Sequence, residues 1–144
     1  MNAKNMQIDN FFRSISGDKL EKTFDKWSNL ILDLEKFSEK TNVSEMNMML
    51  KNVFMYGSSE TVRVATLFQQ FNYKVGKKER NKMDNWILML LAAETICSLK
   101  FDFTGHKVDS MTLIRLKIND IEKPEVKEKA EEAMEFVKQL IKSN

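Results

Sequence analysis

Residues 86–99 (WILMLLAAETICSL) constrain the fold more than any other stretch of this chain: eight consecutive apolar residues open it, and only Glu94, Thr95 and Ser98 relieve it before Lys100. A helix that is apolar on nearly every side has no stripe to turn toward water, so other helices must surround it. The run predicts the central post of an all-α helical bundle of five to six helices, with that post near residues 82–101. Eight residues also fall well short of the ~20 needed to cross a bilayer, and Glu94 blocks their extension.

A chain of 144 residues fits one domain, able to bury roughly 68–70% of its unfolded surface without disulfides or metal. Residues 1–16 are predicted as an N-terminal segment with a short helix, and 17–144 as a single bundle. The 42% hydrophobic and 31% charged residues, finely mixed, belong to a soluble globular chain. A net charge of +2, from 23 basic and 21 acidic residues, argues against a protein built to grip phosphate backbones. Cys97, the only cysteine, sits inside the apolar helix, and no long apolar leader precedes Gly17, so a cytoplasmic, reducing setting is expected.

One proline and four glycines leave few interruptions. Between residues 18 and 39, Leu20, Phe24, Trp27, Ile31 and Leu34 follow a 4-3-4-3 spacing, one stripe of a long amphipathic helix. Ser44 is placed to cap a helix ending near Met55, with Val43 and Met48 as a hydrophobic staple. Tyr56 and Gly57 read as its stop. The next helix is predicted from Glu60 to about Tyr73, its core face made by Val62, Ala65, Phe68 or Gln69, and Asn72.

Residues 74–82 then read as a basic, solvated loop before the central helix, which Gly105 and His106 end. Asp109 is placed to cap a short helix carrying Ile114, Ile118 and Ile121 on one face. Pro124 suits the first position of a last helix whose inward stripe is Val126, Ala130, Ala133, Val137, Leu140 and Ile141.

Two segments, YGSSETVRVATLFQQF at 56–71 and SLKFDFTGHKVDSMTLIRLKIND at 98–120, resemble an uncharacterised group of small helical bacterial proteins. In that group a YGS-E segment opens one helix and a later helix ends in a basic-x-Asp motif. The resemblance implies a helical fold and carries over no catalytic residue, cofactor or function.

No spacing in the chain matches a catalytic, nucleotide-binding or metal-binding constellation, so no catalytic residue, cofactor or metal is predicted. His106 lacks a motif-marked nucleophile and is a lone histidine. An enzyme built on Glu94, Asp102 and His106 would need these three to converge in one open pocket. Glu94, within the apolar helix, is expected to sit at an exposed edge or to pair with a cation such as Arg63 or Arg115.

The remaining candidates are surfaces. Met46, Met49, Leu50 and Val53 share a helical face and read as core, which leaves Met48 and Met55 as adaptable contacts. With Tyr56, Phe101, Asp102, Phe103 and His106 they form the candidate interaction surface of a non-enzymatic domain that binds a protein partner or forms a homodimer. Lys77, Lys78 and Arg80, in a stretch holding five cations and one acid, are the candidate contacts of an alternative, an accessory domain docking on an anionic membrane or nucleic acid. No aromatic residue lies between Lys77 and Lys82 to stack on bases, which weakens the nucleic-acid reading.

Overall fold

The computed structural model describes residues 22, 25–27, 43–76 and 81–143. Five helices follow one another: α1 (Val43–Tyr56), α2 (Ser59–Gly76), α3 (Lys82–Thr104), α4 (Ser110–Lys117) and α5 (Pro124–Ser143). No strand occurs among the described residues, and no helix there is long and apolar enough to cross a membrane. The fold is an all-α bundle of packed helices.

The apolar run makes α3 the post around which the rest assembles. It packs against α2, α4 and α5, while α1 and α5 also touch α2. Ile87, Leu88, Leu90, Leu91, Ala92, Ala93, Ile96 and Leu99 are all buried, so water reaches little of its middle. The hydroxyl of Thr95, buried with them, donates to the Leu91 carbonyl at 2.9 Å and is thereby satisfied within its own helix.

Both ends of α3 are set by local chemistry. Asn81 accepts from the Asp84 N–H at 2.8 Å while the Asp84 carboxylate accepts from the Asn81 N–H at 3.2 Å, a reciprocal cap that satisfies two orphan donors. At the other end Gly105 adopts φ 77°, and its N–H returns to the Phe101 carbonyl at 2.8 Å. That left-handed turn is open to glycine at no steric cost.

α5 carries the expected stripe. Ala130, Ala133 and Val137 are buried against α3, joined by Met134, while Val126, Leu140 and Ile141 pack half-buried at its margins. Pro124 opens the helix, as its spacing predicts. On α1, Met46, Met49 and Val53 enter the core. Trp27 joins them, edge-on to Phe68 with ring centroids 5.2 Å apart.

Several expectations are corrected. α2 runs three residues beyond Tyr73 to Gly76, so Lys74 is helical and not part of a loop. Its buried face is Thr61, Val64, Ala65, Leu67, Phe68 and Val75. Val62, Gln69 and Asn72 lie only half-buried, because contacts with α1, α3 and α5 draw on a wider arc than a two-helix stripe. α1 begins at Val43, ahead of the expected cap at Ser44. α4 ends at Lys117, where Ile118 turns extended with φ −110° and ψ 105°, so Ile121 reaches the core from the following turn. Of the predicted N-terminal helices, residues 3–15 and most of 18–39 lie outside the described residues.

Candidate interaction corner

The turn between α1 and α2 is tight. A Cβ at Gly57 would stand 2.8 Å from the Val53 carbonyl oxygen and 3.3 Å from two carbons of Thr61, so a side chain there would push the turn off α2. Directly after it, the Ser58 hydroxyl accepts from the Thr61 N–H at 3.2 Å and caps α2.

Asp102, near the C-terminal end of α3, reaches across to this turn. Its Oδ2 accepts from the Ser58 backbone N–H at 2.9 Å and from the Thr61 hydroxyl at 2.6 Å. The Thr61 proton is thereby committed, so the hydroxyls of Ser98, 2.5 Å away, and Ser58, 3.1 Å away, donate to the Thr61 oxygen. A carboxylate thus sits over the N-terminus of α2, where the helix dipole favours negative charge. Ser58, Thr61, Ser98 and Asp102 form a clamp between the α1–α2 turn and α3.

The clamp sets the neighbourhood of the candidate surface. Phe101 and Phe103 flank Asp102 and are 42% and 47% exposed; Met55, three residues before Ser58, is 58% exposed. Phe54, which sequence reasoning missed, is 71% exposed. Met48 is exposed two helical turns back along α1, and Tyr56 is half-buried against the core. Asp102 belongs to the clamp, and His106 is exposed with its N–H on the Thr104 hydroxyl at 3.1 Å.

Beside the clamp lies an open groove of about 670 Å³. Val64, Cys97, Phe101 and Val108 supply its apolar lining and Glu60, Glu94, Asp102 and Asp109 its acids, against one cation, Lys107. Lys107 stands 5.6 Å from the centre of the Phe101 ring. Glu94 and Asp102 therefore share one groove, eight residues apart on α3, whereas His106 does not line it. The three do not converge as an acid–base site would require.

Glu94 does not pair with Arg63 or Arg115. Arg63 donates to Glu60 on its own helix at 2.8 and 3.1 Å and to the Ile141 carbonyl at 2.8 Å, near the negative end of α5. Arg115 lies 3.7 Å from Glu122. Glu94 meets α4 instead, and its carboxylate accepts from the Ser110 hydroxyl at 2.6 Å. The hydrogen bond from Arg63 holds the Glu60 carboxyl below its usual range and raises the guanidinium in turn.

Burial pushes the Cys97 thiol up to about 12, and the nearby charges of Glu94 and Asp109 push the same way. The folded state therefore holds the thiol proton more tightly than the unfolded chain. This contribution to stability is constant below the ordinary cysteine range and is lost as pH rises toward 12. At about pH 8 the native protein is expected to react with an aromatic disulfide reagent at least tenfold more slowly than the urea-unfolded chain. Equal rates would show an accessible, ordinary thiol.

Lys77, Lys78 and Arg80 lie outside the described residues, and Lys74 and Lys82 on either side of them are exposed. Among the described residues no group of three or more His, Cys, Asp or Glu side chains could hold a metal ion. No family model, curated protein or solved structure matches the chain.

Proposed function

We propose that this is a non-enzymatic helical domain that works by presenting an apolar surface to a protein partner or to another copy of itself. The observation that supports this reading is the clamp. By tying Ser58 to Asp102 it holds the turn that follows Phe54 and Met55 of α1 against the end of α3 that carries Phe101 and Phe103. Large apolar side chains left in water beside a groove cost free energy that a partner surface recovers by covering them, at roughly 25 cal/mol per Å² buried.

The mechanism is burial of these side chains against a second helical surface. Light scattering coupled to size exclusion, over a tenfold range of protein concentration, tests the self-association arm. The average mass is expected to rise above that of one chain, and F101S/F103S to return it to the monomer with unchanged helicity. A variant that associates as strongly as the wild type would remove this corner from the interface.

A further inference from the structure

α4 and α5 each pack on α3 but hardly touch one another. α4 has 8 residues, about 12 Å of helix, and α5 has 20, about 30 Å, so the short helix runs beside only part of the long one and a cleft opens between them. The cleft holds about 560 Å³, within the range of small-ligand sites. Met111 of α4 and Met134 and Ile141 of α5 supply its apolar lining. Thioether side chains repack readily around an apolar body.

Charge is divided across this cleft. Glu94 of α3 and Asp109, the cap of α4, supply its acids, whereas α5 contributes only cations, Lys138 and Lys142. None of the four is matched by an opposite charge. Glu94 accepts at Oε1 from the Ser110 hydroxyl, and Asp109 at Oδ1 from the Thr112 N–H and hydroxyl, neutral donors that leave each carboxylate's charge in place. Among the described residues Oε2 of Glu94 and Oδ2 of Asp109 accept no hydrogen bond, and Lys138 and Lys142 form no ion pair. Arg115, the third cation on the lining, is turned to Glu122 at 3.7 Å.

Opposite charges that share a cleft without pairing set a field across it. A simple anion gains from the lysines and is repelled by the carboxylates, and a simple cation meets the reverse. The ligand that gains from both walls carries two charges of its own, held apart. We infer that this cleft binds a zwitterion with an apolar body, of the class of a short apolar peptide with both ends free. Its ammonium group faces Glu94 and Asp109, its carboxylate faces Lys138 and Lys142, and its side chains lie on Met111, Met134 and Ile141. Two extended residues set the termini about 7 Å apart, a span suited to protein charges that stand too far apart to pair directly. Glu94 and Asp109 line both this cleft and the corner groove, but Phe101 lines only the latter, so the inference goes beyond the apolar corner and does not depend on it.

The test is a titration of the whole chain, carbon-13 labelled at its methionine methyls, with leucyl-leucine. Two companion compounds keep the apolar body and lose one charge each: N-acetyl-leucyl-leucine lacks the ammonium group and leucyl-leucinamide lacks the carboxylate. Two variants remove the protein charges in turn. K138Q/K142Q changes two exposed residues, and E94Q/D109N keeps the acceptors that Ser110 and Thr112 use.

Leucyl-leucine is expected to shift the Met111 and Met134 methyls with a dissociation constant of about 1 mM or below, and each companion to bind about tenfold more weakly. K138Q/K142Q binds leucyl-leucine no better than its amide but still prefers it to the acetylated compound. E94Q/D109N shows the opposite loss of preference. F101S/F103S, altered only at the corner, binds as the wild type does.

The absence of methyl shifts at about 20 mM leucyl-leucine overturns the inference. Equal binding of all three compounds also overturns it, since the cleft would then hold an apolar body and ignore charge. Preferences that survive in both charge variants, or binding lost in F101S/F103S, place the peptide elsewhere and do the same.

Discussion

Leu91→Ala is expected to lower the free energy of unfolding by about 3 kcal/mol, within the range for removing a buried leucine from a packed core. Leu91 is 0% exposed, and it lies in the middle of the helix that touches α2, α4 and α5. Truncation removes three carbons' worth of contacts and leaves a cavity that three helices would have to move to close. A domain's whole stability is about 5–15 kcal/mol, so this one change takes a large share of it. Urea unfolding followed by circular dichroism measures the difference, and Leu116→Ala is the control. Leu116 is 75% exposed, and its truncation is expected to move stability by no more than about 0.5 kcal/mol. A loss below about 1 kcal/mol at Leu91 would mean that α3 is not the centre of the bundle.

The central post is legible in the sequence because burial on all sides erases the polar face that every other helix keeps, and a run such as WILMLLAA records that directly. The ends of helices are legible for a related reason. Asp109 caps α4 through Thr112 three residues away, and Gly105 closes on Phe101 four residues back, so cause and effect share a short window. Contacts between distant segments leave no such record. Nothing around Asp102 announces that its carboxylate holds a turn 44 residues earlier, and a basic-x-Asp helix end reads equally well as a local loop anchor.

Glu94 shows the same limit. Its place in an apolar helix calls for a partner, but sequence gives no means of choosing the Ser110 hydroxyl over the guanidinium of Arg63, which Glu60 and the Ile141 carbonyl engage first. Phe54 was within reach of phase arithmetic. Met46, Met49 and Val53 set the inward direction of α1, and the next residue stands about 100° round the helix from Val53. A phenylalanine there reads as core only if its identity is weighed above its position.

Asp102→Ala is expected to cost about 2 kcal/mol, because it removes at once the charged acceptor of the Thr61 hydroxyl and of the Ser58 N–H. Thr61 is 0% exposed, so water does not replace the carboxylate without opening the α2–α3 contact, and only the neutral hydroxyls of Ser98 and Ser58 are left to accept its proton. Thr61→Val, which keeps the shape and removes the hydroxyl, closes a double-mutant cycle. If the clamp is one cooperative unit, the two losses sum to more than the double variant's, with a coupling of about 1 kcal/mol. Additivity within about 0.4 kcal/mol would reduce the clamp to separate, weak hydrogen bonds. The same variant carries the functional consequence. No apolar side chain is deleted in Asp102→Ala, yet the tie between the α1–α2 turn and α3 is cut, so the end of α1 that carries Phe54 and Met55 loses its fixed position relative to the end of α3 that carries Phe101 and Phe103. Self-association measured on the folded fraction is therefore expected to weaken about tenfold, since each 1.4 kcal/mol of lost preorganisation is a factor of ten in affinity. Unchanged association in a demonstrably loosened clamp would mean that each aromatic residue acts alone, and that the corner is not a surface built by the fold.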